Sequence, residues 1–316
     1  MCGIIGYTGR EDSSKRILAG LKALAYRGYD SAGIAAFSKD GVQVVKTAGK
    51  VDALQAEVDR VGGVVSSCAI GHTRWATHGA PTAKNAHPHR AAGVTLVHNG
   101  IIENEAELRK ELLNQGVVFS SDTDTEVAAA VISRCKNEEG DPIIALRKAE
   151  TLLRGAYAFA VLFDDRPGEI YALRRQSPLL VAPAEDGVYL ASDLPAVLPY
   201  TNQRFSLEEG ELAVLRPEGV TVYGADGCVV EKVPETADVD LGAAEKGGWP
   251  HFMLKEIHEQ PEALRRTVLP RLRDGLPYLE GDGFTDELLK NLSSLRIVAC
   301  GTAMHAGLIG KTLIER

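Results

Sequence analysis

Three helical segments stand between two groups of short strands, and this arrangement limits the possible folds more than any other feature of the chain. Residues 104–116, 124–137 and 142–155 have apolar residues at helical spacing. Six short apolar or alternating segments follow between residues 157 and 224, separated by glycine, proline or acidic residues. Helices grouped between runs of sequential strands predict an α+β protein in which helices cover antiparallel sheets.

The residues before these helices contain a second set of strands and helices. Residues 4–9 have the pattern of a strand, and residues 13–28 have the apolar spacing of a helix. The segments 31–38 and 41–49 predict a hairpin, since a Lys-Asp-Gly turn joins them. The remaining predicted elements are a helix over 50–61 and buried strands over 67–75 and 93–102, joined by a loop over 76–92.

Composition and charge exclude several classes of protein. The 316 residues are 45% hydrophobic and 25% charged, as in ordinary globular proteins, and no apolar run reaches the length of a membrane span. The formal net charge of -8 disfavours general nucleic-acid binding, because phosphate neutralisation needs concentrated lysine and arginine. The five cysteines include no CxxC pair, which disfavours a disulfide framework or a zinc ribbon and favours a reducing cytoplasm.

Four histidines within a short window raise the question of a metal site. His72, His78, His87 and His89 match neither a helical i, i+4 pair nor the spacing of a zinc finger. Prolines and a glycine also interrupt this stretch. The sequence therefore predicts neither a metal ion nor another cofactor.

Cys2 directly follows the initiator methionine, so removal of Met1 places a thiol and a free α-amino group on one residue. The amine, with a pKa of about 7.7–8.0, can accept the thiol proton and return it to a departing amine. N-terminal threonine nucleophiles use the same arrangement. Cys2 therefore suits acyl transfer through a thioester, and the alternative is a terminal cysteine without a role.

Three further positions each have a structural and a chemical interpretation. Asn99 and Gly100 can supply side-chain and backbone N–H donors for an oxyanion, or they can form a simple Asn-Gly turn. Arg74 can bind a carboxylate bidentately or form a surface salt bridge. Asp124 belongs to an N-cap segment and can also hold an ammonium. Together, Arg74 for the carboxylate and Asp124 for the ammonium indicate a site for an α-amino acid.

Seven segments of the chain resemble one family of enzymes. MCGIIGY, YRGYDSAGIA, GHTRWATHG, HNGIIEN and SDTDTE, in this order, resemble the glutamine amidotransferases of the N-terminal-nucleophile class. MLKEIHEQP and IVACGTAMHAG resemble the start of the isomerase half of the glucosamine-6-phosphate synthase family. The resemblance implies a four-layer αββα glutaminase domain over 1–235, a linker over 236–250 and an incomplete α/β sugar-isomerase segment over 251–316.

The resemblance also implies a role for each matching residue. Cys2 would act as nucleophile and base, and Asn99 with Gly100 would form the oxyanion hole. Arg27 would support the nucleophile, and Thr302 would contact a sugar phosphate. The side chains around glutamine would be Arg74, Trp75, Thr77, His78 and Asp124, with Trp75 on a loop that closes over the site.

The chain is shorter than members of that family, which continue for several hundred residues and form homodimers. We therefore expect hydrolysis of glutamine to glutamate and ammonia, without conversion of fructose 6-phosphate to glucosamine 6-phosphate. We also expect the tail over 250–316 to be the least stable part, because its predicted strand over 295–300 lacks neighbours. Three alternatives stay open: another amidotransferase of the same class, a fragment that binds without turnover, and a hydrolase of other amides.

Overall fold

Two antiparallel sheets form the centre of the computed structural model. Both belong to the first of two compact units, Met1–Glu245, and the second unit is Lys246–Arg316. The residues that the structure describes are 2–39, 41–76, 79–237, 248–278 and 283–316.

The first sheet has eight strands, and its central strand begins directly after Cys2. Its strands are β1 (Gly3–Gly9), β2 (Ser31–Ser38), β3 (Gly41–Ala48), β4 (Cys68–Arg74), β9 (Leu180–Ala184), β10 (Gly187–Ala191), β11 (Gln203–Ser206) and β15 (Glu235–Thr236). Their order is β15-β11-β9-β10-β1-β4-β2-β3. Because β1 pairs with β10 on one side and β4 on the other, the backbone after Cys2 is held at both edges.

The second sheet has seven strands and faces the first. Its strands are β5 (His89–Ala91), β6 (Val94–Ile102), β7 (Gly155–Phe163), β8 (Ile170–Arg175), β12 (Leu212–Arg216), β13 (Gly219–Tyr223) and β14 (Val229–Val230). Their order is β14-β13-β12-β8-β7-β6-β5. The strand β6 is paired with β7 along its whole length, and it carries Asn99 and Gly100.

Five helices cover the outer faces of the two sheets. α1 (Ser13–Ala23) and α2 (Val51–Arg60) pack on the first sheet, and α3 (Glu105–Asn114), α4 (Asp124–Glu139) and α5 (Pro142–Leu152) pack on the second. Alternate side chains of each strand serve the two faces, as period-2 geometry requires. Ile4 lies between the sheets and Ile5 faces the helices. The predicted four-layer αββα arrangement is confirmed.

Most predicted elements of the first unit are present, with differences at short strands and ends. The helix predicted over 13–28 ends at Ala23, because residues 24–27 form a turn. The strands β5, β11, β14 and β15 were not predicted, since two to four residues are too few for a clear periodicity. β15 includes the start of the predicted linker, whose residues 238–247 lie outside the described residues.

The second unit contains helices and a small hairpin, and most of its side chains are exposed. Its elements are α6 (Phe252–Val268), β16 (Leu272–Arg273), β17 (Leu276–Pro277), α7 (Asp286–Lys290) and α8 (Gly301–Ile314). The strand predicted over 295–300 is wrong: this segment pairs with no strand of the described residues, and Ile297 lies against Gly307 of α8. The α/β character predicted for this unit is not confirmed.

A helix that spans a membrane needs about 20 consecutive, predominantly apolar residues. Within the described ranges, every helix falls short of that requirement.

Candidate active site

Cys2 directly precedes the central strand β1 of the first sheet, and it lies next to Trp75, the residue that follows β4. The Trp75 backbone N–H donates to Cys2 Sγ at 3.3 Å, and Sγ lies 3.5 Å from the Trp75 carbonyl oxygen. Burial raises the pKa of the Cys2 thiol, while the Trp75 N–H, the chain's amino terminus and Arg74 act to lower it. A base is therefore needed to generate the thiolate at neutral pH.

Asp30 holds the backbone on both sides of Trp75, a role that the sequence analysis did not identify. The Asp30 backbone N–H donates to the Arg74 carbonyl at 3.0 Å, and Asp30 Oδ2 accepts from the Ala76 N–H at 2.8 Å. These two bonds fix the peptide whose N–H points at Cys2 Sγ. A carboxylate in the YRGYDS motif, three residues after Arg27, was the available signal.

Asn99 and Gly100 lie within β6, so the interpretation of these residues as a simple Asn-Gly turn is wrong. Asn99 Nδ2 donates to the Cys2 carbonyl oxygen at 3.1 Å, and Asn99 Oδ1 lies 3.1 Å from His72 Nε2. Gly100 has a φ of 130°, and a Cβ there would lie 2.0 Å from the Ala156 carbonyl oxygen. Only glycine fits this position, directly beside Asn99.

Arg74 and Asp124 bring opposite charges to the same site from different elements. Arg74 ends β4 and is buried, with Nη1 3.4 Å from the Ala80 carbonyl oxygen. Asp124 begins α4, and its Oδ2 accepts the Ile102 N–H at 2.9 Å. Burial lowers the pKa of Arg74, and the nearby Cys2 and Asp124 act against this change. The pair offers a cation and an anion to one ligand.

One cavity connects Cys2, Gly100, Arg74 and Asp124. It has a volume of about 20 Å³, which is room for about one water molecule. Glutamine is larger, so its binding requires part of the wall to move. Trp75 is an exposed side chain of that wall, 44% exposed and edge-on to Tyr29 at 5.3 Å. The residues that line the cavity are Cys2, Arg74, Trp75, His87, His98, Gly100, Asp124 and Thr125.

Arg27 binds the backbone carbonyl of Cys2. Its Nε donates to the Cys2 carbonyl oxygen at 3.2 Å, and its Nη1 donates to Asp193 Oδ2 at 2.5 Å. Tyr26 donates its hydroxyl to the same Asp193 oxygen at 2.5 Å. The Cys2 carbonyl therefore accepts hydrogen bonds from both Arg27 and Asn99, which leaves the residue little freedom to shift.

Of the three remaining predicted site residues, the structure describes one. Thr77 and His78 lie outside the described residues. Thr302 lies in the first turn of α8 in the second unit, and its side chain is exposed.

The segment before α4 confirms the N-cap interpretation of the SDTDTE motif. Thr123 is the N-cap and accepts the Glu126 N–H at 3.4 Å. The Glu126 carboxylate accepts four hydrogen bonds of 2.6–2.8 Å from the amides and hydroxyls of Ser120 and Ser121. Burial raises the pKa of Glu126, but these hydrogen bonds outweigh it and lower the pKa overall. This cap fixes the position of Asp124.

Four buried histidines form a cluster beside the cavity, and the sequence did not predict this cluster. His72 stacks on His87 with ring centroids 4.0 Å apart, and His89 stands edge-on to His87 at 5.0 Å. Thr125 Oγ1 lies 3.2 Å from His87 Nε2 and 3.0 Å from His98 Nδ1. His98 comes from β6, a distant part of the sequence, so the spacing of the other three gave no indication of this cluster.

Three of these histidines, His72, His87 and His89, are neutral. Burial lowers the pKa of His72 to about 3 and the pKa values of His87 and His89 well below their usual value. Among the described residues, no group of three or more His, Cys, Asp or Glu side chains is arranged to hold a metal ion. The cluster is bound together by ring stacking and hydrogen bonds.

Residues 72–199 match the sequence model of the glutamine amidotransferase domain. The chain is 49% identical over 322 residues to a glutamine–fructose-6-phosphate aminotransferase (isomerizing) of Symbiobacterium thermophilum, and 45% identical over 322 residues to that of Aquifex aeolicus. Each alignment includes 100% of this chain and 52% of the relative. The chain therefore spans about half the length of these curated relatives.

Two solved structures are similar to this one. Glutamine phosphoribosylpyrophosphate amidotransferase from B. subtilis, complexed with ADP and GMP, aligns with a TM-score of 0.61 and 27% identity over 72% of this chain and 50% of its own. An allosteric regulatory enzyme of purine biosynthesis aligns with a TM-score of 0.63 and 28% identity over 71% of this chain and 49% of its own. These findings confirm the predicted N-terminal-nucleophile fold.

Proposed function

We propose that this chain hydrolyses glutamine to glutamate and ammonia with Cys2 as the nucleophile, and the match of residues 72–199 to the glutamine amidotransferase domain supports the proposal. The observation that carries the proposal is the shared cavity of Cys2, Arg74, Gly100 and Asp124. A nucleophile, an N–H donor and two opposite charges that meet in one cavity match the groups of glutamine: an amide, a carboxylate and an ammonium.

The reaction begins with the Cys2 thiol and the α-amino group that removal of Met1 exposes. The amine takes the Sγ proton, and Sγ forms a bond to the carboxamide carbon of glutamine. The negative charge on the carboxamide oxygen is stabilised by N–H donors of Asn99 and Gly100. The amine then returns the proton to the leaving nitrogen, the C–N bond breaks, and ammonia departs. A water molecule hydrolyses the γ-glutamyl thioester and releases glutamate.

Arg74 and Asp124 select the substrate in this proposal. The guanidinium of Arg74 binds the α-carboxylate, and the carboxylate of Asp124 binds the α-ammonium. Both side chains are buried, which strengthens their electrostatic preference for a zwitterionic ligand. Thr77 and His78 complete the binding set, and Trp75 covers the bound glutamine.

The name of the relatives supports a second activity, amination of a sugar phosphate, in chains of the relatives' full length. We propose that, in a chain of the relatives' length, the ammonia aminates fructose 6-phosphate to glucosamine 6-phosphate in hexosamine biosynthesis, with Thr302 near the sugar phosphate. The present 316 residues correspond to about half of that length, and we propose that they hydrolyse glutamine without this synthesis. The five free cysteines support a cytoplasmic location, and a homodimer is proposed for the longer chain.

The test is glutamate release by the purified chain in the absence of sugar phosphate, with mass spectrometry of the N-terminus. We expect turnover, loss of Met1, and covalent modification of Cys2 by a glutamine analogue with an electrophilic γ-ketone. Cys2→Ala should abolish turnover and labelling, whereas Cys228→Ala, at an exposed cysteine, should change neither. Labelling that persists in Cys2→Ala, or an absence of turnover in chains that lack Met1, would overturn the proposal.

A further inference from the structure

The orientation of the Asn99 carboxamide is determined by its two neighbours. The Cys2 carbonyl oxygen lies 3.1 Å from the amide and can only accept a hydrogen bond, so the amide nitrogen faces it. The amide oxygen then faces His72 Nε2, also at 3.1 Å. Any group that holds this oxygen in place also directs the Asn99 N–H groups toward the Cys2 side.

His72 carries its hydrogen on the nitrogen that faces Asn99. Nε2 lies 2.9 Å from the His98 carbonyl oxygen and 3.1 Å from Asn99 Oδ1, so it donates to both. Because burial keeps His72 neutral by lowering its pKa, only one ring nitrogen carries a hydrogen, and Nδ1 is therefore an acceptor. Nδ1 is buried and has no hydrogen-bond partner among the residues that the structure describes.

The ring of His72 is held in this orientation by His87. The two rings are stacked, 4.0 Å apart and 19° from parallel. His87 is itself fixed, because its Nδ1 accepts the His98 backbone N–H at 3.3 Å and its Nε2 then donates to Thr125 Oγ1 at 3.2 Å. His72 is thus a rigid donor behind Asn99, with no contact to the cavity.

We propose that His72 is a positioning residue that fixes the Asn99 carboxamide so that its N–H groups face the oxyanion at Cys2. The inference rests on the proposed function. One Asn99 N–H is occupied by the Cys2 carbonyl, and the second donates to the oxyanion. Without the His72 donor, the amide oxygen is a buried acceptor without a partner, and rotation of the amide by 180° about its bond would turn an oxygen toward the developing negative charge.

The test uses two substitutions that differ in which nitrogen of histidine they replace. The amide nitrogen of His72→Gln reaches the position of Nε2, and that of His72→Asn is closer to Nδ1. We expect His72→Gln to retain most of kcat for glutamine hydrolysis. We expect His72→Asn to lower kcat about tenfold to a hundredfold, less than full donor loss, with KM nearly unchanged because Arg74 and Asp124 hold the α-groups.

A double-mutant cycle with Asn99→Ala separates positioning from a general structural effect. If His72 acts through Asn99, His72→Asn should not lower kcat further once Asn99 is alanine. His89→Asn is the control for lost packing, because His89 is also buried but bonds to Thr123 and does not contact Asn99. It should destabilise the chain without lowering kcat comparably.

The outcomes distinguish this inference from the proposed function. Absence of turnover in the wild-type chain lacking Met1 overturns the proposed function and the inference with it. Turnover combined with additive effects in the cycle, or with equal losses in His72→Gln and His72→Asn, overturns the inference alone. Long-range ¹⁵N–¹H NMR gives a readout independent of activity: neutral His72 with its hydrogen on Nε2 supports the inference, and a hydrogen on Nδ1 contradicts it.

Discussion

The two compact units differ in how they treat their apolar side chains. The first buries them in three clusters, one between its two sheets and one on each outer face. The second exposes most of them, including Leu308 at 57% and Ile309 at 64% on α8. Burial of apolar side chains stabilises the first unit, and it contributes little to the second unit, whose apolar side chains stay largely in contact with solvent. The difference indicates that the stability of this chain comes mainly from its first unit.

The largest expected effect is on the rate of glutamine hydrolysis, and it is tested by replacing one asparagine in each unit. Asn99→Ala should lower the rate of glutamine hydrolysis about 10²- to 10³-fold, the typical result of losing one oxyanion donor. Asn291→Ala, in the second unit, removes an exposed side chain that bonds to the Glu287 carbonyl and should leave the rate unchanged. Steady-state kinetics on both variants measure this, with thermal melting as the folding control. A near-normal rate for Asn99→Ala would remove this residue from the mechanism.

A core substitution tests where the stability comes from. Leu54 of α2 is fully buried in the cluster between the helices and the first sheet. Leu54→Ala should lower the free energy of unfolding by about 2–5 kcal/mol, because it removes buried methyl groups and leaves a cavity. Urea unfolding followed by tryptophan fluorescence and far-UV circular dichroism measures the change. A loss below about 1 kcal/mol would mean that the surrounding core collapses into the cavity.

The buried histidines predict a loss of stability in mild acid. The pKa of His72 is about 3 in the folded chain and about 6.5 when unfolded. Between these values the unfolded chain binds more protons, so stability is full above pH 6.5 and falls as the pH is lowered. His72 should contribute a loss of about 2 kcal/mol between pH 7 and pH 5. His72→Gln should weaken this pH dependence in urea unfolding, and an unchanged dependence would contradict the assignment.

The smallest effect is expected in the second unit. Leu308→Ala alters a side chain that is already exposed, and it should change the free energy of unfolding by about 0.5 kcal/mol or less. Limited proteolysis extends the comparison, since we expect cleavage first within residues 248–316. A protected second unit, or a large effect of Leu308→Ala, would show that its apolar face is covered in solution, by a second copy or by the first unit.

The sequence predicted what depends on local pattern and on side-chain chemistry. Helix spacing, strand alternation and N-cap residues placed β1, α2, β6 and α4 close to their observed bounds. The chemical types of Cys2, Arg74 and Asp124 indicated an amino-acid site before their positions were known, and one cavity contains all three.

Other features depend on residues that are distant in the sequence. His98 approaches His87 only because β6 pairs beside β5, and Asp30 approaches Trp75 only because β2 pairs with β4. Local spacing contains no information on either pairing. The prediction of a strand over 295–300 was wrong although its local pattern is that of a buried strand. The described chain offers this segment no strand to pair with.

The location of Cys2 at the start of a central strand has a practical consequence for anyone who produces this protein. Gly3 pairs with Thr73 and the Ile4 N–H donates to Ser192 Oγ, so the first strand begins one residue after the proposed nucleophile. An affinity tag fused to the amino terminus can leave both sheets intact while it converts the proposed catalytic amine into a peptide bond. Such a preparation would pass every test of folding and still be inert, so tags belong at the other end.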